Sequence, residues 1–567
     1  MRLPLNSGAR ANARVAGLFV IIALFVACVS QPPSSTMTIT FVGINDIHGQ
    51  LTATEEHGSL VDISSYINAL RHARAADDGV VVVLDAGDMW QGTLASNLTE
   101  GASMVAAYNA LGVAAAAIGN HEFDFGPVGP AAIPMQAGDD PRGALKQRAR
   151  EADFPLLAAN LIDDATGQPV DWENVRPSAM LDAGGIIVGV IGVLTENGLK
   201  LTIAPNTTGL SMAPLVPSIE REARLLRDAG ADMIVVVAHA GGRCSDASDP
   251  LDTSSCAPTS ELFRVAAQLE TGLVDHIFGG HLDHQMAHLI NDTSVGMNVS
   301  RADSFSRVDF QVDRDSGRVL DRRIFPPQIN IVPRPATYEG YPLKAIPEVA
   351  EIAAAALAEA SDLQAQTLGV VLEEPFPIGP DMNLGLHNLV LEALLETFDV
   401  DIVMHNVLGG LRRGLPAGEL TFGAVYEMFP FDNVATIHSI SGGDLRRVIA
   451  AQSTRFRRVG FAGMRVFIQC DADAISVRML RDDGSEILDT DEVRLLANDY
   501  LALGGDDILA PIIPPGGFEL NLDQPRTRDA LVDWFRQRGG TLHPADWRGH
   551  AEPRWNLPEE NFAGCAS

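Results

Sequence analysis

The sequence predicts an α/β protein of two domains: an N-terminal α/β sandwich with helices outside, closing on an antiparallel edge, and a separate α/β domain after it. Three observations carry this. The chain has 567 residues, too many for one compact core. Short apolar runs alternate with helical stretches, the pattern of strands inside and helices outside. Several of those runs end in Asp, Asn or His, which puts polar groups at the carboxyl ends of strands, where open α/β sheets bind ligands. With 46% hydrophobic and 20% charged residues the composition is globular. A net charge of -32 excludes a surface built to hold a nucleic-acid polymer, whose phosphates it would repel. A small anion is still compatible with a cleft that metal ions make locally positive.

The first residues read as an export signal. Arg2, Arg10 and Arg14 precede an apolar core from Val15 to Ala27, too short to span a bilayer comfortably. It ends in Phe25-Val26-Ala27-Cys28, and a polar, Pro/Ser-rich stretch runs on to Thr36. This resembles a bacterial lipoprotein signal over 1–28 with a tether over 29–36. The resemblance implies that Cys28 is lipidated and anchors the chain to a membrane. An ordinary secretory signal cut nearby stays open, and either one directs export to the periplasm or cell envelope.

Met37 to Ile44 then reads as the first strand. Leu60 to Ala75 reads as a helix, with apolar residues at Leu60, Ile63, Ile67 and Leu70. Further strands are expected at Val80 to Leu84, Val113 to Ile118, Ile186 to Val193, Met233 to Val237 and Val274 to Phe278, with a helix over Pro217 to Ala229. After Asp283 the pattern changes to short strands between turn residues, such as Val308 to Val312. Six prolines punctuate the stretch from Phe325 to Gln366, where an Ala-rich helix from Pro347 to Ala360 reads as a connector. The expected divisions are 37–328, a linker with its helix over 329–366, and 367–567.

The polar segments after the first-domain strands are Asn45-Asp46-Ile47-His48, Gly87-Asp88, Gly119-Asn120-His121-Glu122-Phe123-Asp124, Ala238-His239-Ala240 and Gly279-Gly280-His281-Leu282-Asp283. Carboxylates, an amide and imidazoles are oxygen and nitrogen donors for divalent metals. One such histidine alone is as readily a core or surface residue; five spaced segments in this order are not. They resemble the calcineurin-like metallophosphoesterases, and the hexamer from Gly119 to Asp124 narrows the likeness to bacterial 5'-nucleotidases. The resemblance implies a four-layer-type α/β metallophosphoesterase sandwich. It assigns Asp46, His48 and Asp283 to one ion, Asn120, His239 and His281 to a second, and Asp88 to both. Mixed donors of this kind suit Mn, Zn, Co or Fe. His121 would assist phosphoryl transfer, with Asp124 orienting its ring. Asp283 departs from the family, where His or Gln is common. His276 and His288 carry no motif and read as structural.

The C-terminal half is similar to the 5'-nucleotidase C-terminal domain. His387-Asn388-Leu389, Gly409-Gly410-Leu411-Arg412, Pro430-Phe431-Asp432-Asn433 and the run from Asn498 to Asp506 carry the likeness. It implies that Phe431 and Tyr500 sandwich a base, Asp506 binds ribose hydroxyls, Arg412 holds phosphate, and Asn433 lies in the substrate site. Stacking of this kind tolerates any base, and a guanidinium forks onto phosphate oxygens. Two departures weaken the phosphate clamp. Asn406 lies one residue early for the family's Asn-x-Gly-Gly segment, and Asp381-Met382-Asn383 stands where an Arg is usual. Arg413 is one residue that would compensate.

Apart from Cys28, four cysteines allow three connectivities, and the sequence does not choose among them. Pairing Cys244 with Cys256 would close the loop after His239, and Cys470 with Cys565 would then pin the C-terminus. The implied function is an exported, two-metal phosphoesterase acting on a small-molecule nucleotide, releasing phosphate from nucleoside 5'-monophosphates. A 2',3'-cyclic phosphodiesterase, a UDP-sugar hydrolase or a sulfur-compound hydrolase would use the same scaffold. A non-catalytic nucleotide-binding lipoprotein is the alternative outside enzymes.

Overall fold

Two stacked β-sheets form the centre of the N-terminal half of the computed structural model. The structure describes residues 35–54, 57–330, 334–381, 384–454, 459–471, 474–514, 517–521, 523–547 and 553–557. The export signal with Cys28, the tether up to Ser34, Met382, Asn383 and Cys565 lie outside the described residues, as does the side chain of Cys470.

The first sheet has seven strands, in the order Val319–Ile329, Ser304–Asp313, Thr36–Ile44, Val80–Asp85, Val113–Ala117, Leu156–Leu157 and Val175–Arg176. From Thr36–Ile44 onward its pairs are parallel. Ser304–Asp313 and Val319–Ile329 close it as the antiparallel edge that the sequence predicts. The second sheet has six strands, in the order Met286–Ile290, Thr293–Met297, His276–Gly279, Met233–His239, Ile187–Leu194 and Ser178–Asp182. Its middle is parallel and its two edges antiparallel.

Period-two alternation explains the layering. Along the first strand Met37, Ile39 and Phe41 meet Val188, Val190, Met233, Val235 and Val237 of the other sheet. The intervening Val42 and Ile44 face the helices Leu60–Ala76 and Ala102–Leu111. In the second sheet Ile234 and Val236 point the other way, under Leu215–Asp228 and Glu261–Gln268. The result is helix, sheet, sheet, helix, the four-layer architecture expected.

The helix Pro347–Gln364 runs four residues past its predicted end. Val349, Ala353, Ala356 and Ala360 bury one face of it in the first core, beside Tyr426. The C-terminal half has its own four-stranded sheet, ordered Ala435–Ser441, Glu492–Asn498, Ile402–His405 and Gly460–Ala462. Helices Gly385–Thr397 and Thr527–Arg538 pack into one core there and Gly442–Thr454 into another. Among the described residues no helix is long and apolar enough to cross a membrane.

Candidate metal centre and substrate cleft

Each candidate ligand sits where a strand stops. Asp46 and His48 follow Thr36–Ile44, Asp88 follows Val80–Asp85, Asn120 follows Val113–Ala117, His239 ends Met233–His239, and His281 follows His276–Gly279. The turns are tight: Asp46, His48, Asp88 and His281 have φ of 49°, 50°, 59° and 72°. L residues other than Gly seldom adopt this left-handed region, at a cost of roughly 1 kcal/mol or more each. Backbone bonds hold the turns together, with Asp46 N–H donating to the Gly87 carbonyl at 2.9 Å and His48 N–H to Asp88 at 3.0 Å. Glu122, which the sequence did not single out, accepts the N–H groups of Asp88 and Met89 at 2.8 Å and of Gly119 at 2.7 Å. Burial and the nearby Asp88 push its carboxyl up to about 7. Gly119 is obligatory here, because a Cβ would stand 2.2 Å from Asp88 Oδ1.

The structure brings six of the seven predicted ligands together. Asp46, His48 and Asp88 form one group and Asp88, His239 and His281 another, so Asp88 belongs to both. His48 Nε2 lies 4.0 Å from Asp46 Oδ1 and 4.0 Å from Asp88 Oδ2. His239 Nε2 is 3.2 Å from Asp88 Oδ2, 3.1 Å from Asn120 Oδ1 and 3.2 Å from His281 Nδ1. The Gln91 and Ala86 carbonyls accept from the Nδ1–H groups of His48 and His239 at 3.0 and 2.9 Å. That turns Nε2 of each ring toward the cluster. Burial opposes charge on Asp88, but His239 and His121 hold its carboxyl well below the ordinary range. Burial likewise opposes an imidazolium at His239, yet Asp88 lifts it to about 10. Burial raises Asp46 to about 6, and burial with His239 lowers His281 to about 3. Carboxylate, amide-oxygen and imidazole donors converging on a shared Asp fit a pair of divalent transition ions.

Asp283 stands apart from these groups. It is exposed, lies in neither group, and its Oδ1 accepts from the N–H and Oγ–H of Ser300 at 3.1 and 3.0 Å. A third carboxylate beside Asp46 and Asp88 would add like-charge repulsion in a buried place, whereas Ser300 offers it two donors at the rim. His276 and His288 are buried away from the centre.

His121 faces the cleft. Its Nδ1–H donates to Asp124 Oδ2 at 2.6 Å, and Thr202 Oγ1 donates to Asp124 Oδ1 at 2.8 Å, fixing the carboxylate from behind. Arg412 Nη2 donates to His121 Nε2 at 2.7 Å. Burial opposes a charge on this ring, but Asp124 and Asp88 raise its pKa above the ordinary value, with Arg412 pulling the other way.

These groups share a cavity of about 320 Å³ with Arg412, Phe431, Asn433, Tyr500 and Asp506 of the C-terminal half. Phe431 lies 5.8 Å from the His121 ring, centroid to centroid, with the Arg412 guanidinium 5.2 Å from its own ring centre. Tyr500 lies against Gly505, where a Cβ would meet the ring at 2.4 Å. Asn406 Nδ2 donates to Asp506 Oδ2 at 3.1 Å, so the displaced asparagine holds the predicted ribose-binding carboxylate. Asn433 is committed elsewhere: its Nδ2 donates to the buried Asp499 at 2.8 Å. Cys244 and Cys256 form a disulfide, which fixes one of the pairings the sequence leaves open.

A family described as calcineurin-like phosphoesterase matches residues 39–285, and the 5'-nucleotidase C-terminal domain matches residues 379–511. The endonuclease YhcR of Bacillus subtilis is 24% identical over 490 residues, 83% of this chain; the chain spans 37% of that protein's length. Protein UshA of Yersinia enterocolitica is 24% identical over 517 residues, covering 84% of this chain and 88% of its own. Among solved structures, a 5'-nucleotidase precursor from Thermus thermophilus superposes with a TM-score of 0.69 at 20% identity, covering 92% of this chain and 100% of that one.

Proposed function

Because the chain belongs to the family that joins a calcineurin-like phosphoesterase domain to a 5'-nucleotidase C-terminal domain, and is a phosphate-ester hydrolase, we propose that it is an exported 5'-nucleotidase. It would release phosphate from nucleoside 5'-monophosphates with two bound divalent ions. The observation that carries this reading is the single cavity in which the Asp88-centred donor groups face Phe431, Tyr500 and Asp506.

Asp46, His48, Asp283 and Asp88 would hold one ion, and Asp88, Asn120, His239 and His281 the other. When bound, such ions neutralise phosphoryl oxygens and activate water. The chain's own residues do the rest. Phe431 and Tyr500 grip the base between their faces, each contact worth roughly 1–3 kcal/mol. Asp506, steadied by Asn406, accepts from the ribose hydroxyls. Arg412 moves from the His121 ring to the phosphoryl oxygens, which frees Nε2. His121, oriented by Asp124 and Thr202, then stabilises the charge that develops on the transferring group or donates its proton to the leaving oxygen. The Arg- and Ala-flanked apolar segment before Cys28 supports export and a lipid anchor.

The test is phosphate release from AMP, UDP-glucose and 2',3'-cyclic AMP by the wild type and by Phe431→Ala with Tyr500→Ala. Preferred release from AMP, with KM raised about tenfold or more in the double variant, is expected. Release only from the other substrates would move the specificity and keep the phosphoesterase.

A further inference from the structure

A small void of about 30 Å³ opens beside the metal centre, on the flank of His48 that carries Arg301, Arg412 and Arg413. It has room for the oxygens of one oxyanion and none for a nucleoside. The three guanidiniums are not equivalent. Arg413 is taken up within the protein, donating to Glu427 Oε2 at 2.5 Å and to Gln50 Oε1 at 2.9 Å. Arg301 and Arg412 have, among the described residues, no carboxylate partner; they donate to the Arg412 carbonyl at 3.0 Å and to His121 Nε2 at 2.7 Å. Two guanidiniums without a direct ion pair among the described residues are thus held in one half-buried cleft, one from each half of the chain, with Asp283 and Asp303 the acidic groups nearest in effect to Arg301.

Arg301 is also held in place by a strained backbone. It and Ala302 have φ of 56° and 59°, a conformation that costs about 1 kcal/mol or more for residues with a Cβ. The Arg301 N–H donates to the Asp46 carbonyl at 2.7 Å, which ties this turn to a ligand-bearing loop. A left-handed Arg anchored to the metal loop, with no carboxylate in direct contact among the described residues, is arranged for an incoming anion.

We propose that Arg301 is an oxyanion-binding residue of this cleft, forming with Arg412 a two-domain clamp on a phosphate group. Arg301 supplies a guanidinium from the metal-bearing half beside Arg412 of the other. The clamp would hold the phosphoryl group of the substrate or the orthophosphate product, which present the same oxygens. This inference rests on the phosphoesterase reading above.

The test uses the full metal-loaded chain and inorganic phosphate as probe. Binding is measured by calorimetry for the wild type, Arg301→Gln and Arg301→Lys, with KM and kcat for AMP alongside. Gln stays polar and loses the charge; Lys keeps the charge and loses the fork. Phosphate binding weakened about tenfold or more in Arg301→Gln, with Lys intermediate, is the expected result. A matching rise in KM for AMP assigns the clamp to substrate, and a change confined to phosphate inhibition assigns it to product. A Gln variant whose phosphate affinity stays within about tenfold of wild type overturns the proposal. Should Gln fail to fold, wild-type protein treated with phenylglyoxal decides: phosphate must shield Arg301 from modification, read by peptide mass, and an unshielded Arg301 overturns it. A wild type that hydrolyses no phosphate ester defeats the functional reading; an active wild type with an indifferent Arg301 defeats only this one.

Discussion

At the scale of single residues, His121 and Asp124 carry the sharpest expectations. His121→Ala should lower kcat on AMP by about 10²–10⁴-fold, the usual worth of a positioned acid or base. The pH dependence follows from the direction of its shift. Burial opposes the imidazolium, but Asp124 and Asp88 raise it above the ordinary 6.5. Activity that needs the protonated ring is therefore full below that raised value and is lost as pH rises through it. Asp124→Asn removes part of the lift and should move the alkaline limb of the kcat profile to lower pH; an unmoved limb would count against the pairing. Six of the proposed ligands, which the structure gathers around Asp88, could be read from the sequence because each follows a strand-like run and the order of the segments is distinctive. The hydrogen bonds of Asp283 to Ser300 could not, because spacing after His281 says nothing of the residue opposite. Thr202 and Arg301 were invisible for a related reason. Neither sits in a motif, and only the fold brings them to Asp124 and Arg412.

At the scale of elements, six strands stand within about two residues of where the apolar runs place them, since alternation and turn residues bound them from both sides, while Ser304–Asp313 begins four residues before the predicted Val308. The connecting helix extends four residues beyond the Ala-rich run that marks it in the sequence, to Gln364. Its apolar stripe is more than a spacer's. Ala353 is 1% exposed inside the first core, so Ala353→Asp should cost more than about 3 kcal/mol and show in a denaturant titration as a lowered midpoint. The disulfide works on the ligand loops. Cys244 bridges to Cys256 and also pairs across to Gln285, so it joins the loop after His239 to the loop after His281. Replacing both cysteines by Ser should remove about 2–3 kcal/mol of stability through the unfolded chain, read by thermal unfolding. A larger loss in metal affinity than in stability would show that the bridge also aligns the ligands.

At the scale of the molecule, the two halves meet through hydrogen bonds and through the packing of Tyr426 into the first core. Gln91 Nε2 donates to the Pro430 carbonyl at 3.2 Å, Arg526 to Pro130 at 2.6 Å, and Arg413 to Gln50 at 2.9 Å. An interface of that kind permits relative motion, and substrate carried on Phe431 and Tyr500 would reach the metals by it. A disulfide engineered between the halves should lower turnover reversibly; unchanged turnover would contradict a moving C-terminal domain. The central claim is narrower: Asp88 joins two groups of ligands into one centre that hydrolyses phosphate esters. The measurement that tests it most directly is phosphate release from AMP by EDTA-treated protein titrated with Mn(II), for the wild type and for Asp88→Asn. No release before metal, recovery complete near two equivalents per chain, and none from the variant are the expected results. Release that survives EDTA, or an Asp88→Asn protein as active as the wild type, would contradict it.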